Sequence, residues 1–369
     1  MIVGFDAKRL FHNYTGLGYY SRTLVTSLLK YHSDFDVVLF DGNPVHSTLT
    51  KSYYQNHHVQ IVKYSIPKSF HRSIYLNAYL DQSDAQIYHG LSNELPYIKN
   101  KKRPFVVTIH DLLYKYFPQD FPWFDRRMYQ FKTARAIENA DVVIAISQAT
   151  KNDLIRYFPF AENKIKIMYQ SYDSLFDEII THEEFRSTQH AHSLPGEYHV
   201  YVGAVTYRKN LKVIIDAMCI QNEKERIPLI IAGKGTTYES YIKKYIAGKG
   251  LSHLIHFMPG ISRQDLRILY HGARALIYPS LGEGFGLPVI EGIAADIPVI
   301  TSNISSMPEA GGPCANYFDP TRADELASLL SKPSSLKSYA PSDRLSHLAK
   351  FSPSVLSEQI LKNVYLPLV

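Results

Sequence analysis

The densest group of residues suited to ligand chemistry is the segment EGFGLPVIE, from Glu283 to Glu291. It follows the apolar run ALIYPS, and its glycines allow backbone conformations and a close ligand approach that a Cβ would block. We expect Pro288 to open a helix, so that backbone N–H groups near Gly286 can bind an anionic or polyhydroxylated ligand. Glu283 then lies in the loop and Glu291 about one turn into the helix. The alternative is that they are a turn residue and a helix-dipole partner.

A second candidate group is the adjacent pair Arg208 and Lys209 in VGAVTYRKNL. The predicted strand before it ends near Gly203, and a helix is predicted after it. Arginine offers a fork and lysine a point charge, a combination suited to a diphosphate. Two cations at a helix start oppose the helix dipole and therefore call for a reason, and the alternative of ordinary solvated charges stays open.

Two groups in the first half of the chain are weaker candidates. The segment TGLGYYSR contains Gly16 and Gly18, but it fails the dinucleotide pattern G-x-G-x-x-G because Ser21 stands where that pattern requires glycine. The segment VTIHDL places His110 at the carboxyl end of a predicted strand, where it could bind a ligand hydroxyl, share a proton or serve as a buried structural residue. Asp111 is expected to cap the following turn.

The elements that must position these residues alternate between strand and helix, which indicates the α/β class with parallel sheets. Residues 171–197 are polar and are predicted to be a linker between two α/β series. Helices are expected at Tyr19–Tyr31, at Asp125–Asn139 and at the C-terminus, the last with Ser352 as N-cap. Strands are expected at Ile2–Asp6, Phe35–Phe40, Val59–Tyr64, Ala85–His89, Phe105–His110, Asp141–Ser147, Lys164–Met168, His199–Ala204, Pro228–Ala232, Ile255–Met258, Ala275–Tyr278, Pro298–Thr301 and Asn316–Phe318.

Composition narrows the class of protein. The chain has 369 residues, 45% of them hydrophobic and 20% charged, as in globular proteins, and the length suits two domains. The net charge is +6, and residues 1–110 hold 12 Lys/Arg against 7 Asp/Glu, 12 − 7 = +5. That early excess fits a membrane-facing patch or an ordinary solvated surface. The 28 Tyr and 18 Phe are dispersed without basic interleaving, so no nucleic-acid partner is expected.

Cysteine and histidine usage argues against a metal centre or a disulfide framework. Cys219 and Cys314 lack metal-ligand spacing, and the histidines lack partners at zinc spacing. No apolar run approaches the about 18 residues that a membrane span needs. We therefore expect a cytoplasmic protein without a metal, and any contact with a membrane would be made from the inner surface.

With these motifs in view, the sequence resembles the retaining GT-B-fold glycosyltransferases of family 4, in which two glutamates are separated by seven residues, as Glu283 and Glu291 are here. The resemblance implies that Glu283 lies by the donor sugar and that Glu291 holds the ribose hydroxyls of the nucleotide. It assigns sugar and phosphate contacts to the backbone of Gly284, Phe285, Gly286 and Leu287.

The resemblance also implies roles for the other groups. Arg208 and Lys209 match the diphosphate-binding pair of the family, next to Gly203, although many members have arginine where this chain has Ala204. His110 matches a histidine that contacts the donor sugar. Gly16 and Gly18 match a glycine-rich loop that reaches the donor phosphates.

For the whole chain, the resemblance implies two Rossmann-like, doubly wound domains that face a central cleft. Residues 1–185 are expected to form the acceptor-side domain and residues 186–350 the nucleotide-sugar domain. Residues 351–369 are expected to form a terminal helix that packs back on the first domain.

The implied reaction is transfer of a hexosyl group from a nucleotide diphosphate sugar to a hydroxyl, with the anomeric configuration retained. His110, Glu283, Arg208 and Lys209 are the expected catalytic residues, and no cofactor is expected besides the sugar nucleotide. The RKN form of the phosphate segment favours a mannosyltransferase that uses GDP-mannose, with UDP-sugars as the alternative. A glycan or lipid-linked acceptor in cell-surface polysaccharide synthesis follows by analogy.

Two other functions remain open at this point. One is another GT-B enzyme, such as a nucleotide-sugar epimerase, which needs no acceptor. The other is a non-catalytic nucleotide-sugar-binding subunit of an assembly complex.

Overall fold

A computed structural model describes residues 1–64, 72–98, 100–331, 336 and 339–369, with side chains for all of these except 72–75. By their contacts, these residues form two compact units. Unit 1 is Met1–Ser171 with Lys350–Val369, and unit 2 is Tyr172–Ala349. Each unit is built on one parallel sheet.

The strands of unit 1 are β1 (Ile2–Asp6), β2 (Asp36–Asp41), β3 (Val59–Lys63), β4 (Ile87–Gly90), β5 (Phe105–Ile109), β6 (Val142–Ala145) and β7 (Ile165–Ile167). Those of unit 2 are β8 (His199–Val202), β9 (Leu229–Ala232), β10 (Ile255–Met258), β11 (Ala275–Tyr278), β12 (Val299–Ser302) and β13 (Asn316–Phe318).

The helices of unit 1 are α1 (Lys8–His12), α2 (Gly16–Tyr31), α3 (Lys51–Gln55), α4 (Arg72–Asp81), α5 (Trp123–Asn139), α6 (Gln148–Tyr157) and, near the C-terminus, α15 (Pro353–Ile360). Those of unit 2 are α7 (His182–His192), α8 (Leu211–Ile220), α9 (Thr237–Gly248), α10 (Arg263–Gly272), α11 (Leu287–Ala294), α12 (Met307–Gly311), α13 (Ala323–Ser331) and α14 (Pro341–Ala349).

The α/β class predicted from the sequence is confirmed, and each of the thirteen predicted strands is present with its ends shifted by two residues at most. The reason is that most of these strands are buried on both faces, so their apolar runs are continuous and easily recognised. Helix α2 begins at Gly16 instead of Tyr19, because Asn13 accepts hydrogen bonds from the backbone N–H groups of Thr15 and Gly18. Helix α5 begins two residues before the predicted start at Asp125.

The strand order makes both sheets doubly wound. The order is β3-β2-β1-β4-β5-β6-β7 in unit 1 and β10-β9-β8-β11-β12-β13 in unit 2. In each sheet, the first three strands are placed one after another from the middle towards one edge, starting at β1 or β8. The next strand, β4 or β11, lies on the other side of that first strand, and the remaining strands follow towards the opposite edge, so that the order reverses at this point. In such sheets, ligands bind at the carboxyl ends of the two strands that flank this reversal.

The predicted linker at 171–197 is wrong in its middle part, since His182–His192 form helix α7. Thr181 and Glu184 make a capping box: the Thr181 side chain accepts from the Glu184 N–H, and the Glu184 carboxylate accepts from the Thr181 N–H. The sequence pattern T-x-x-E was the available signal for this helix. The domain boundary predicted after residue 185 therefore falls inside a helix. The contacts within the chain instead place the boundary between the two units at Ser171 and Tyr172.

The C-terminal segment is part of the core of unit 1. Ser352 caps α15 as predicted, by accepting from the Val355 N–H. Ile360, Val364 and Tyr365 are buried in the same apolar cluster as β1 and α2. The Tyr365 hydroxyl also lies 2.7 Å from Nδ1 of the buried His89 on β4.

We expect Ile360→Ala to lower the free energy of unfolding of unit 1 by about 2–5 kcal/mol, because it removes buried methyl groups and leaves a cavity. Leu366→Ala is the matched control, since Leu366 is 49% exposed and should change that free energy by about 0.5 kcal/mol or less. Urea unfolding followed by circular dichroism measures both. Equal stability of the two variants would show that the C-terminal segment does not belong to this core.

Candidate active site

The main candidate residues of unit 2 come together at the reversal of its sheet. Strands β8 and β11 are neighbours, so their carboxyl ends lie side by side. Arg208 and Lys209 follow β8, in the short 3₁₀ helix Tyr207–Lys209, and Glu283 follows β11. Although these residues are more than seventy positions apart in the chain, the topology places them in direct contact.

Glu283 is the centre of a buried ion-pair cluster. Its Oε1 atom lies 2.7 Å from Arg208 Nη1 and 2.9 Å from Lys209 Nζ. The hydroxyl of Ser280 donates to the same oxygen at 2.8 Å. Lys209 Nζ also donates to the hydroxyl of Tyr278, at the end of β11, at 2.5 Å. Two cations and one carboxylate sum to +1, a charge that suits an anionic ligand.

The environment keeps this carboxylate ionised. Burial by itself would raise the pKa of Glu283, but the charges of Arg208 and Lys209 outweigh it and lower that pKa to about 2. Burial lowers the pKa of the Lys209 ammonium, and the neighbouring Glu283 partly offsets this effect. The side chains of the cluster therefore carry charges whose mutual attraction offsets the free-energy cost of removing them from water.

Gly203 makes room for the Lys209 side chain. Its φ of +142° is a conformation that other residues rarely adopt, and a Cβ there would lie 3.0 Å from Lys209 Cδ and Nζ. Gly233, at the end of the neighbouring strand β9, is equally constrained, because a Cβ there would collide with the carbonyl of Gly203. Glycine at position 203 thus lets the backbone approach the Lys209 side chain, and glycine at position 233 lets it approach the backbone of Gly203.

The loop that carries Glu283 is held by two serines that the sequence analysis did not single out. Ser305 and Ser306 donate to the carbonyl oxygen of Glu283 at 3.0 and 2.9 Å, and the Glu283 N–H donates to the Ser305 hydroxyl at 3.2 Å. Arg208 Nη1 adds a bond to the carbonyl of Gly282 at 3.1 Å. The only sequence signal was the pair of serines between strand β12 and helix α12.

The glycine-rich turn after Glu283 leads into helix α11. Gly286 is the N-cap residue in a left-handed conformation, with φ +116°, and a Cβ there would lie 2.7 Å from Met307 Cε. The helix begins at Leu287, one residue before the predicted start at Pro288. Gly284 and Phe285 complete the turn, and Phe285 is buried.

Glu291 lies in a second cluster with different partners. It is on α11, buried, and accepts from Tyr270 Oη at 3.2 Å and Arg263 Nη2 at 3.4 Å. Burial raises the pKa of Glu291, and Arg263 partly offsets that rise. Arg263 also pairs with Asp173 at 3.0 Å. Sequence reasoning missed Arg263 and Tyr270, because nothing in the spacing along the chain links α10 to α11.

In unit 1, His110 follows β5 and is buried with both ring nitrogens engaged. Nε2 lies 2.9 Å from the carbonyl of Leu91, and Nδ1 lies 2.9 Å from the side-chain amide of Gln170. Burial lowers the pKa of His110 to about 4, so the ring is neutral near pH 7, with Nε2 as donor and Nδ1 as acceptor. Proton transfer at His110 would require one of these bonds to open. Asp111 caps the next turn as predicted, by accepting from the Leu113 N–H.

Gly16 and Gly18 occupy the first turn of α2 and differ in their surroundings. A Cβ on Gly18 would collide with the carbonyl of Asn13, so this glycine is required by packing within unit 1. A Cβ on Gly16 would meet no atom within 4 Å. Two residues further along, the ring of Tyr20 packs edge-on against His110 with centroids 4.8 Å apart. A ligand-binding role for Gly16 and Gly18 stays a prediction.

A polar cavity of about 190 Å³ lies beside the reversal of the unit 1 sheet. It is lined from helix α1, which follows β1, by Lys8 and Arg9, and from the loop after β4 by residues that include Asn93. Helix α5 closes one side. Asn93 also accepts from the His110 N–H at 2.9 Å, so one side chain links the cavity to the loop after β5.

Two kinds of feature are absent from the described part of the chain. Across the residues described, no group of three or more His, Cys, Asp or Glu side chains is arranged to hold a metal ion. Among the same residues, no helix is long and apolar enough to cross a membrane. The absence of a metal from the reaction remains a prediction.

Comparison with known proteins shows similarity over most of the chain. The family model described as Glycosyltransferase Family 4 matches residues 14–174, and the model Glycosyl transferases group 1 matches residues 183–340. Among curated proteins, the O-antigen chain mannosyltransferase B of Escherichia coli is 27% identical over 65% of this chain and 63% of its own length. The O-antigen chain mannosyltransferase RfbU of Salmonella typhimurium is 26% identical over 61% and 58%. The match thus spans less than two thirds of either relative.

Solved structures match the fold. Anabaena Alr3699/HepE, crystallised with UDP and glucose, superimposes with a TM-score of 0.74 at 18% identity over 99% of both chains. A sucrose-phosphate synthase from Thermosynechococcus elongatus gives 0.76 at 17% identity, over 100% of this chain and 99% of its own. Both units have the doubly wound sheet of the Rossmann-like domains that make up the GT-B fold. The chain therefore belongs to the family 4, group 1 glycosyltransferases of GT-B fold.

Proposed function

We propose that this protein is a retaining glycosyltransferase that moves a hexosyl group, with mannose from GDP-mannose as the first candidate, to a hydroxyl of a glycan or lipid-linked glycan in cell-surface polysaccharide synthesis. The observation that carries the proposal is the buried cluster of Glu283 with Arg208 and Lys209 at the carboxyl ends of β8 and β11. Family membership and the similar O-antigen mannosyltransferases support it.

In the proposed glycosyl transfer, the main task of the protein is to stabilise the departing diphosphate. In the proposed step, the bond from the anomeric carbon to the diphosphate oxygen breaks, and its electron pair leaves with the nucleotide diphosphate. The acceptor oxygen bonds to the anomeric carbon on the same face, and its proton passes to the leaving phosphate. Arg208 and Lys209 supply positive charge where negative charge develops, the kind of interaction that contributes most to many enzymatic rates. This reaction needs no metal.

Glu283 has two tasks in this proposal. Its ionised carboxylate holds both cations in place before the donor arrives, and its position in the glycine-rich turn lets it accept hydrogen bonds from the donor sugar. Glu291 is proposed to hold the ribose hydroxyls, for which a buried carboxylate bonded to an arginine and a tyrosine is well suited. Gly203, Gly284 and the N-terminal end of α11 from Gly286 are proposed to approach the sugar and phosphates through their backbone.

The acceptor is proposed to bind unit 1. Support comes from the cavity beside β1 and β4, which offers the cations of Lys8, Arg9 and Lys132 and the carboxylates of Glu94 and Asp125. The cations of this lining can donate hydrogen bonds to sugar hydroxyls, and its carboxylates can accept hydrogen bonds from them. His110 is proposed to act as a neutral hydrogen-bonding group towards the donor sugar.

Removal of the charges should reduce turnover. We expect Lys209→Ala and Glu283→Ala each to lower the rate of nucleotide release by about 10²–10³-fold, the loss typical when one electrostatic contact to the transition state is removed. Lys212→Ala is the control, because Lys212 lies three residues further along and is paired with Asp216 at the surface of α8. Nucleotide release and product analysis, with and without a glycan acceptor, measure the effect. Wild-type turnover in both test variants would contradict the site.

Gly203→Ala should weaken activity through Lys209. The added methyl group conflicts with the lysine side chain and with the positive φ, so we expect at least about tenfold slower nucleotide release. Gly196→Ala is the matched control, since a Cβ added to Gly196 would meet no atom within 4 Å. If Gly203→Ala turns over as fast as Gly196→Ala, the close approach of Gly203 and Lys209 is unimportant for the reaction.

The donor can be identified by thermal unfolding with added nucleotides. A ligand that binds only the native state stabilises it by RT ln(1 + [L]/Kd), about 2.7 kcal/mol at a hundredfold excess over Kd. We expect GDP and GDP-mannose to raise the unfolding temperature more than UDP and UDP-hexoses do, and we expect Lys209→Ala to abolish the increase. A larger increase with UDP-sugars would replace mannose as the proposed sugar, and none with any nucleotide would contradict the proposed function.

A further inference from the structure

Helix α10 carries two side chains that bind the carboxylate of Glu291. Arg263 is the first residue of α10, and Tyr270 lies seven positions later, which is two turns along the same face of a helix. Arg263 Nη2 lies 3.4 Å from Oε1 of Glu291, and Tyr270 Oη donates to Oε2 at 3.2 Å. Each oxygen of the carboxylate therefore has a partner on α10.

The carboxylate of Glu291 keeps acceptor positions for a ligand. Its side chain is 6% exposed, and an ionised carboxylate offers about four lone-pair sites. Among the residues that the structure describes, the hydrogen bonds to this carboxylate come from Arg263 and Tyr270. About two lone-pair sites stay open, which matches the two neighbouring hydroxyls of a ribose.

The Arg263 guanidinium is also anchored by Asp173 and Phe176. Its Nε and Nη2 atoms lie 3.1 and 3.0 Å from Oδ2 of Asp173. Its Cζ atom lies 5.0 Å from the centroid of the Phe176 ring, and Tyr270 packs edge-on against the same ring with centroids 5.3 Å apart. Phe176 is fully buried, so both partners of Glu291 rest on one fixed ring.

The position of Arg263 is unfavourable in its own helix. A cation at the first residue of a helix opposes the helix dipole, whose N-terminal end is positive. The carboxylates of Asp173 and Glu291 offset this cost, because the guanidinium lies between them. Without Arg263, two carboxylates would lie close together with no counter-charge between them, which disfavours the ionised form of Glu291.

Arg263 counteracts the effect of burial on Glu291. Burial raises the pKa of Glu291 and the negative charge of Asp173 raises it as well, whereas Arg263 and the hydroxyl of Tyr270 lower it. A protonated carboxyl group donates one hydrogen bond where a carboxylate accepts, so it is less suited to binding two hydroxyls. Keeping Glu291 ionised is therefore part of binding ribose.

The other elements packed against α11 carry further titratable side chains. These are Tyr278 on β11, Asp177 in the turn Ser174–Asp177, Glu309 on α12, and Asp343, Arg344 and His347 on α14. In the described part of the chain, none of them is bonded to Glu291. The neighbours that act on its charge are therefore Arg263, Asp173 and Tyr270.

We propose that Arg263 is a positioning residue for ribose, which holds the Glu291 carboxylate in the orientation and charge that the two hydroxyls of a nucleoside diphosphate sugar require. The inference deepens the proposed function and rests on its assignment of Glu291 to ribose. Arg263 acts through Glu291 on a part of the donor that does not react. Its contribution should therefore appear in the affinity for the nucleotide.

Nucleotides with and without the ribose hydroxyls test this proposal. The probes are GDP and 2′,3′-dideoxy-GDP, with UDP and 2′,3′-dideoxy-UDP measured in parallel by titration calorimetry. The wild type should bind the ribose form of its preferred nucleotide at least about tenfold more tightly, since hydrogen bonds to a charged group are lost in the dideoxy form. Arg263→Met should reduce that preference to less than about threefold. Arg263→Lys restores the positive charge and should recover most of the preference.

Arg274→Met is the matched control. The Arg274 side chain, just after the end of α10, is 50% exposed, compared with 42% for Arg263, and it also pairs with a carboxylate, that of Glu197 at 3.7 Å. This variant should keep the wild-type preference for the ribose form. Unfolding temperatures without nucleotide show whether each variant is folded.

The pH dependence of binding distinguishes positioning from a purely structural role. Binding should weaken as the pH falls through the pKa of Glu291, because protonation removes the carboxylate. In Arg263→Met, burial and Asp173 act without a counter-charge, so the weakening should begin at a higher pH than in the wild type. Asp173→Asn keeps the Oδ1 atom that accepts from the Leu175 N–H but loses the charge, so the weakening should begin at a lower pH. Titration of the terminal phosphate affects all variants alike.

The outcomes separate this inference from the proposed function. If the wild type prefers the ribose form and Arg263→Met has the same preference and pH dependence, the inference is wrong and the role of Glu291 stands. Equal losses in Arg263→Met and Arg274→Met, or pH shifts of the same sign in Arg263→Met and Asp173→Asn, also contradict the positioning role. If the wild type binds a nucleotide without preferring the ribose form, Glu291 does not hold the ribose. If it binds no nucleotide, the proposed function fails, and both of these results overturn the inference as well.

Discussion

The candidate site depends on one buried charge arrangement, the carboxylate of Glu283 between Arg208 and Lys209. A buried ion pair is stable only if each charge finds its partners, because removal from water costs several kcal/mol per ion. Here the carboxylate accepts from two cations and a serine hydroxyl, and the loop behind it is tied to Ser305 and Ser306. The parallel sheet makes this possible, since adjacent strand ends bring the charges together.

The same arrangement prepares the protein for an anionic ligand. The net charge of +1 is held on short, buried segments, so little rearrangement is needed when a diphosphate arrives. Glycines are needed around the cluster for the same reason: Gly203 and Gly286 have positive φ and lie against side chains that a Cβ would crowd. The same close packing thus requires both the backbone conformation at these glycines and the placement of the charges.

Unit 1 uses polar contacts differently. His110 is neutral and fully engaged, and Asn93 connects it to a polar cavity. The C-terminal segment stabilises this unit by filling its core, with Tyr365 bonded to His89. Helix α5 packs on the core with one side and lines the cavity with another. A helix can do this because its side chains radiate in all directions at 3.6 residues per turn.

The amino-acid sequence by itself determined the strands, the two-series α/β organisation and the residue types at the strand ends, because continuous apolar runs and glycine-rich turns are local signals. It also determined the cap of α15 and the capping box of α7, although our linker prediction overlooked the second of these. Only the tertiary structure decided that Glu283 contacts Arg208 and Lys209, that Glu291 instead pairs with Arg263 and Tyr270, and that Ser305 holds the loop. These contacts join segments 20 to 75 positions apart, and strand order, which no local pattern encodes, sets which segments meet.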